Sequence, residues 1–451
     1  MDLIMQSALG ARKSGRVLMA GLLMAAVAGC GGGNNARPKT PTVGNRTPIL
    51  SHIANDVEPD PALESTQIVL PAPRRNSNWA QAGGTASNVV GHLELAAAPQ
   101  RVWTVRIPGS SKKRRLASAP VVGDGKMFVI DTDGVVHAFD AKTGATLWTH
   151  RIEVADDLED VAFGGGASYD EGRVYATNGA GDVVALNAQD GSQIWKVKPA
   201  GPLRGAPTVA FNAVYVMTQD NQIQALNSSD GSILWQEAAA MSQSGVFGVA
   251  APAAGQATVI AGYSSGELVA YRYENGRSLW SDALARTSIS TQVGTLTDVD
   301  ADPIIDNGTV YALGQGGRMA AYELITGQRL WELSLAGIST PAVAGEWIFT
   351  LTSDSRLLAI ARSTGRIRWI TQLQRWQNEK KRTGPVFWVG PVLAGNKLWI
   401  ASSEGEVKTV DVQTGTASDF GDIGEAVSLG PIVADGTLYI LDDSGRITAW
   451  R

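Results

Sequence analysis

From about residue 100 to its end the chain alternates apolar and polar positions in short runs separated by Gly-containing turns. Lys126-Met-Phe-Val-Ile130, Arg173-Val-Tyr-Ala176, Thr309-Val-Tyr-Ala-Leu313, Lys397-Leu-Trp-Ile400 and Thr437-Leu-Tyr-Ile-Leu441 read as copies of one strand. A polar turn follows, such as Asp131-Thr-Asp-Gly134 or Asp442-Asp-Ser-Gly445, and then a second alternating run such as Val135-Val-His-Ala-Phe139 or Ile447-Thr-Ala-Trp450. Period-two alternation around Asp-Gly and Ser-Gly turns predicts β-hairpins. A shorter strand precedes each hairpin, and in seven of eight repeats it opens near a small residue and Pro120, Pro207, Pro252, Pro303, Pro341, Pro391 or Pro431. Proline is tolerated where a strand begins because its missing N–H is not needed there.

A fourth element carries Gly-x-x-x-Trp, at Gly144/Trp148, Gly191/Trp195, Gly231/Trp235, Gly276/Trp280, Gly327/Trp331 and Gly365/Trp369. Two degenerate copies extend the series: Trp103 has Pro99 in place of Gly, and Gly415 has Asp419 in place of Trp. The spacing averages about 45 residues, the length of a four-stranded propeller blade and longer than a helical repeat of 33 or 34. The prediction is an all-β, eight-bladed propeller of four-stranded blades. The series opens with a Trp strand and ends after a third strand, so the Trp103 strand is expected to pair with the last blade and close the ring. The Trp side chains are expected to pack between blades, each with one polar handle.

Composition narrows the rest. Hydrophobic residues are 44% and charged residues 18% of 451, which suits a globular body. With 38 basic against 43 acidic residues the chain has no cationic excess for phosphates, which argues against nucleic-acid binding. Its one cysteine, Cys30, excludes intrachain disulfides and Cys-based metal centres. His52, His92, His137 and His150 lack metal-ligand spacing, and His137 reads as a packed or surface residue. Neither a catalytic constellation nor a metal site is expected.

Arg12, Lys13 and Arg16 precede an apolar run of about a dozen residues, the order of an export signal and too short to span a bilayer. Val27-Ala28-Gly29-Cys30 resembles the bacterial lipobox, which implies cleavage before an acylated Cys30. Gly31 in place of Asp implies sorting to the outer membrane. The expected organisation is a signal peptide over 1–29, a lipid-anchored flexible tether rich in Pro over 30–75, and the propeller over 76–451.

The Gly-x-x-x-Trp repeat resembles that of quinoprotein dehydrogenases, which hold pyrroloquinoline quinone in an eight-bladed ring. With the lipobox, the tether and Leu296-Thr-Asp-Val-Asp300 after the fourth Trp blade, the chain is more similar still to the BamB family, the lipoproteins of the outer-membrane β-barrel assembly machinery. Asn78-Trp79-Ala-Gln-Ala-Gly-Gly84 is similar to the N-terminal segment of both. The second resemblance implies a non-catalytic scaffold without cofactor on the periplasmic face of the outer membrane. It also implies binding to the periplasmic domains of BamA, beside other assembly subunits and nascent outer-membrane proteins. The first implies instead a quinone-dependent dehydrogenase, a reading weakened by the absence of any Cys after residue 30 and of long insertions.

Function is expected on the face reached by the longest loops, between each Trp strand and the next inner strand. These carry basic runs, Lys112-Lys-Arg-Arg115 and Glu379-Lys-Lys-Arg382, and acidic ones, Asp156-Asp-Leu-Glu-Asp160 and Asp298-Val-Asp300. Residues i and i+2 of an extended segment point the same way, so Asp298 and Asp300 are expected to be presented together, as a partner site or as a loop-capping turn. The resemblance implies that this pair contacts BamA. It also implies a Leu-and-Arg loop one blade earlier, where this chain has Val246 and Phe247; Arg204 has the expected wording one blade too soon, as a shifted contact or a coincidence.

Overall fold

The computed structural model describes residues 57–199, 201–203, 205–240, 250–284 and 297–451. Cys30, Arg204, Val246 and Phe247 lie outside the described residues. The alternation noted above forms antiparallel sheets of four strands, eight of them arranged as a ring, an eight-bladed β-propeller. Blade 1 runs from centre to rim as Val121–Gly123, Lys126–Ile130, Val135–Asp140 and Thr146–Arg151. Blades 2 to 7 repeat this order over residues 167–197, 208–238, 253–283, 304–333, 342–372 and 388–422. Blade 8 takes Ile432–Ala434, Thr437–Leu441 and Arg446–Trp450 from the C-terminal end, and its rim strand, Arg101–Arg106, from the other side of the chain. Trp103 faces Ala449 in that ladder, so the expected ring closure forms.

The two central strands of each blade are buried on both faces, and the core lies between blades. Phe128 and Val136 of blade 1, for example, share a cluster with Val174, Ala176 and Val184 of blade 2. The Gly-x-x-x-Trp motif links these layers in a way its spacing does not reveal. Trp148 does not pack on its own Gly144; it lies over Gly191 of the next blade and donates its indole N–H to Ala188 O at 3.1 Å. Gly144 in turn lies under Trp103 of blade 8, which donates to Ala141 O. Each motif therefore hooks both neighbours. A Cβ on Gly191 would come within 2.6 Å of the indole, and φ is +73°, so two independent constraints demand glycine there.

Seven junctions carry this hook, through Trp103, Trp148, Trp195, Trp235, Trp280, Trp331 and Trp369. The eighth, between blades 7 and 8, would need Trp at 419 and Gly at 99. Both degenerate copies thus lose the same hook. The β-bulge of this rim strand sits at Phe420, between the pairs Lys408↔Asp419 and Val407↔Gly421, where other blades bulge just before the Trp. Phe420 turns inward and meets Trp399 of its own blade at 4.9 Å and Trp450 of blade 8 at 6.3 Å between ring centroids.

The first and third turns of each blade emerge on one face of the ring, here the turn face, while the middle turns, such as that at residues 131–134, share the other face with the connections between blades. A strap formed by residues 57–95 crosses the turn face. Its backbone bonds to the inner strands one blade at a time: Trp79 exchanges two hydrogen bonds with Val122, Tyr169 N–H donates to Ala80 O, Ala254 N–H to Ala86 O, and Leu93 N–H to Leu393 O. Gln81 donates to Val209 O at 2.8 Å and accepts from its N–H at 2.9 Å, completing blade 3. His92 accepts from Asn396 N–H through Nε2, which leaves Nδ1 as the donor to Pro71 O. Val57 and Ile68, at 7% and 2% exposure, are buried in the ring. Within the segment expected as tether these two side chains reach the ring, while most of residues 58–75 are exposed. A segment that meets a different blade every few residues has no period to read.

Candidate functional site

Connections between blades emerge on the opposite face, here the loop face. Of its charged runs, Lys112–Arg115 is anchored by Arg114, which pairs with Asp133 and Asp160 at 2.6 and 2.9 Å, while Lys112, Lys113 and Arg115 are exposed. The acidic run folds as a short 3-10 helix, Asp156–Val161, with its four carboxylates exposed. His137 stacks on Phe139 and places Nε2 2.6 Å from Asp131 Oδ2, a packed position.

The segment around Asp298 and Asp300 is clamped at both sides. Thr297 Oγ1 donates to Ser264 O and Val299 N–H to Tyr263 O on blade 4, while Gln315 N–H of blade 5 donates to Asp298 O at 2.8 Å. Asp298 is consequently 1% exposed, which corrects the expectation that the two carboxylates are presented together. Asp300 faces the centre. There it lines a cavity of about 300 Å³ with Asp302, Ser118 and Thr340, floored by Trp79, Gly83 and Asn88 of the strap. Asp302 accepts from Ala251 N–H at 2.8 Å and donates its own N–H to Thr340 Oγ1 at 3.1 Å, joining three successive blades.

Burial, followed by the charges of Asp298 and Asp302, pushes the Asp300 carboxyl up to about 7. Burial raises Asp302 to about 6, partly offset by the hydrogen bonds from Ala251 and Thr340. Among the described residues the lining offers carboxyls, hydroxyls and apolar groups and no Lys, Arg or His. That donor set does not fit pyrroloquinoline quinone, whose carboxylates need cationic partners. Among the described residues no group of three or more His, Cys, Asp or Glu is placed to hold a metal ion. What the cavity suits is a cation. Sequence reading missed Asp302, which a third acidic residue at spacing two could have signalled.

A family model described as outer membrane protein assembly factor BamB matches residues 96–159 and 132–371. The BamB of Salmonella typhimurium is 29% identical over 355 residues, covering 78% of this chain and 88% of that protein. The Escherichia coli protein is 28% identical over 354 residues, 77% of this chain and 88% of its own. Among solved structures, BamB from Moraxella catarrhalis superposes with a TM-score of 0.65 at 21% identity, over 78% of this chain and 99% of that one. Quinohemoprotein alcohol dehydrogenase from Comamonas testosteroni shares the fold, with a TM-score of 0.66 at 13% identity, over 88% and 82%. On the match of the family model over more than half its length, the chain belongs to the BamB family of outer membrane protein assembly factors.

Proposed function

We propose that this protein is a non-catalytic scaffold, lipid-anchored through Cys30 on the periplasmic face of the outer membrane, whose loop face binds the periplasmic domains of BamA. The observation that carries the reading is the asymmetry of the two faces. The strap covers the turn face and bonds to its inner strands, whereas the interblade loops bring exposed charge and Asp300 to the other face. A rigid ring holding loops on one side is suited to docking, because its interface backbone is ordered before the partner arrives. Asp300, rather than the buried Asp298, is the carboxylate a cationic side chain of BamA would meet. Pairing would favour its ionised form, so affinity should rise from pH 6 to pH 8. Affinity purification of the tagged protein from detergent-solubilised membranes tests the reading. Recovery of BamA with wild type and its loss with Asp300→Lys is expected; absence of BamA from the wild-type eluate overturns the proposal.

A further inference from the structure

The connection from blade 6 to blade 7 contains a two-stranded ribbon, Trp376–Asn378 paired with Thr383–Pro385. It stands apart from the eight blade sheets. Its four-residue tip is Glu379, Lys380, Lys381 and Arg382, all exposed. The tip is built rather than loose: Asn378 Oδ1 accepts from Lys381 N–H at 3.0 Å, and Arg382 turns the chain at φ +52°. Glu379 turns back, its Oε1 accepting from the N–H groups of Arg375 and Trp376 at 3.0 and 3.1 Å. The single carboxylate of the tip is thereby engaged at the ribbon's base. Lys380, Lys381 and Arg382 form no ion pair among the described residues. In the other basic run of this face the two arginines are engaged, Arg114 with Asp133 and Asp160 and Arg115 near Asp443, while Lys112 and Lys113 are exposed. At the ribbon's base the Arg375 guanidinium covers the Trp376 ring at 5.8 Å, and Phe387 is 59% exposed.

We infer that this ribbon is a membrane-surface contact, its three cations set against the phosphates of anionic lipid headgroups and Phe387 at the interfacial layer. The inference rests on the reading of the chain as an outer-membrane lipoprotein. Three features favour a lipid surface over an acidic protein. Lysine is depleted in protein interfaces, where ordering its long side chain is costly, yet a hydrated ammonium suits a diffuse layer of phosphates. The tip has no apolar residue to form the dry centre of a protein contact. Cations beside exposed aromatic residues are the side-chain pairing found at bilayer interfaces. The chain as a whole carries −5, so an anionic surface repels its body and attraction must be local.

The test uses the full chain carrying Cys30→Ser, so that no acyl chain contributes, and vesicles of phosphatidylethanolamine with or without phosphatidylglycerol. Each cation near an anionic surface is worth about fivefold in binding. The combined variant Lys380→Ala, Lys381→Ala, Arg382→Ala should therefore bind phosphatidylglycerol vesicles on the order of a hundredfold more weakly at low salt, with an unchanged melt. Wild-type binding should vanish without phosphatidylglycerol and fall at high salt. Binding of the variant equal to wild type, or wild-type binding that ignores phosphatidylglycerol, overturns the inference. Affinity for the periplasmic domains of BamA is measured alongside and should not change. If the triple variant loses that affinity and the wild type ignores vesicles, the ribbon belongs to a protein interface and the lipid assignment is wrong while the scaffold reading stands.

Discussion

Asp298 and Asp300 stand two residues apart and do opposite things. The first is sealed between blades 4 and 5 by backbone hydrogen bonds that Asp298→Ala leaves in place. Removing its charge takes away one of the causes that raise Asp300, so the substitution should lower the pH at which Asp300 titrates, read from the pH dependence of the melt. The second is a raised carboxyl on the central cavity. Its folded value of about 7 exceeds the unfolded value near 3.9, so the native state binds more protons between those limits. Stability from this group is complete below about pH 4 and is lost as pH rises through 7. Asp300→Asn should therefore raise the melting temperature relative to wild type at pH 8 and leave it unchanged at pH 4; melts at both values check this, and a variant less stable at pH 8 contradicts it. The acidic pair was legible as a motif, but the division of its carboxylates between an interblade position and the central cavity was not. Nor was the clamp by Tyr263 and Gln315, because those partners are 36 and 17 residues from Val299 and Asp298 and nothing local encodes them.

Among the elements, the strap and the Trp hooks divide the work of holding blades together. At blade 3 the side chain of Gln81 takes the place of a strap backbone pair, and both of its hydrogen bonds are buried. Gln81→Ala leaves the N–H and C=O of Val209 without partners and should cost about 2–4 kcal/mol, read from denaturant unfolding. A loss under about 0.5 kcal/mol would mean water replaces the amide at little cost. The strands themselves were readable from alternation and turn residues, and so was the pairing of both chain ends. The strap was not, since Pro-rich sequence without a period looks the same whether it is free or bonded residue by residue to a ring. The Gly-x-x-x-Trp spacing was readable as a motif, but its partners lie one blade away. That is why Phe420 escaped notice: it serves the junction from a bulged position that the spacing rule skips.

At the scale of the molecule, a closed ring has one junction that the repeat does not hook, and it adjoins the blade closed by both chain ends. Phe420→Ala removes the aromatic contact there and should cost about 2–3 kcal/mol, below the 3–5 of a fully buried Phe because this ring is partly exposed. Deleting residues 99–107 goes further, stripping the rim strand from Arg446–Trp450 and exposing a sheet edge; aggregation or loss of the cooperative melt is expected, and a soluble protein with unchanged melting would show that closure adds little. An intact ring then separates its faces, strap on one side and interblade loops on the other. Titration of the purified periplasmic domains of BamA against one substitution on each face tests that division. Asp300→Lys on the loop side should weaken binding at least about tenfold, as expected when one partner of a desolvated charge pair is replaced. Arg75→Ala on the turn side, where Arg75 pairs with Asp435 in solvent, should leave it unchanged. Full affinity with Asp300→Lys, or its loss with Arg75→Ala, would contradict the assignment of the docking face.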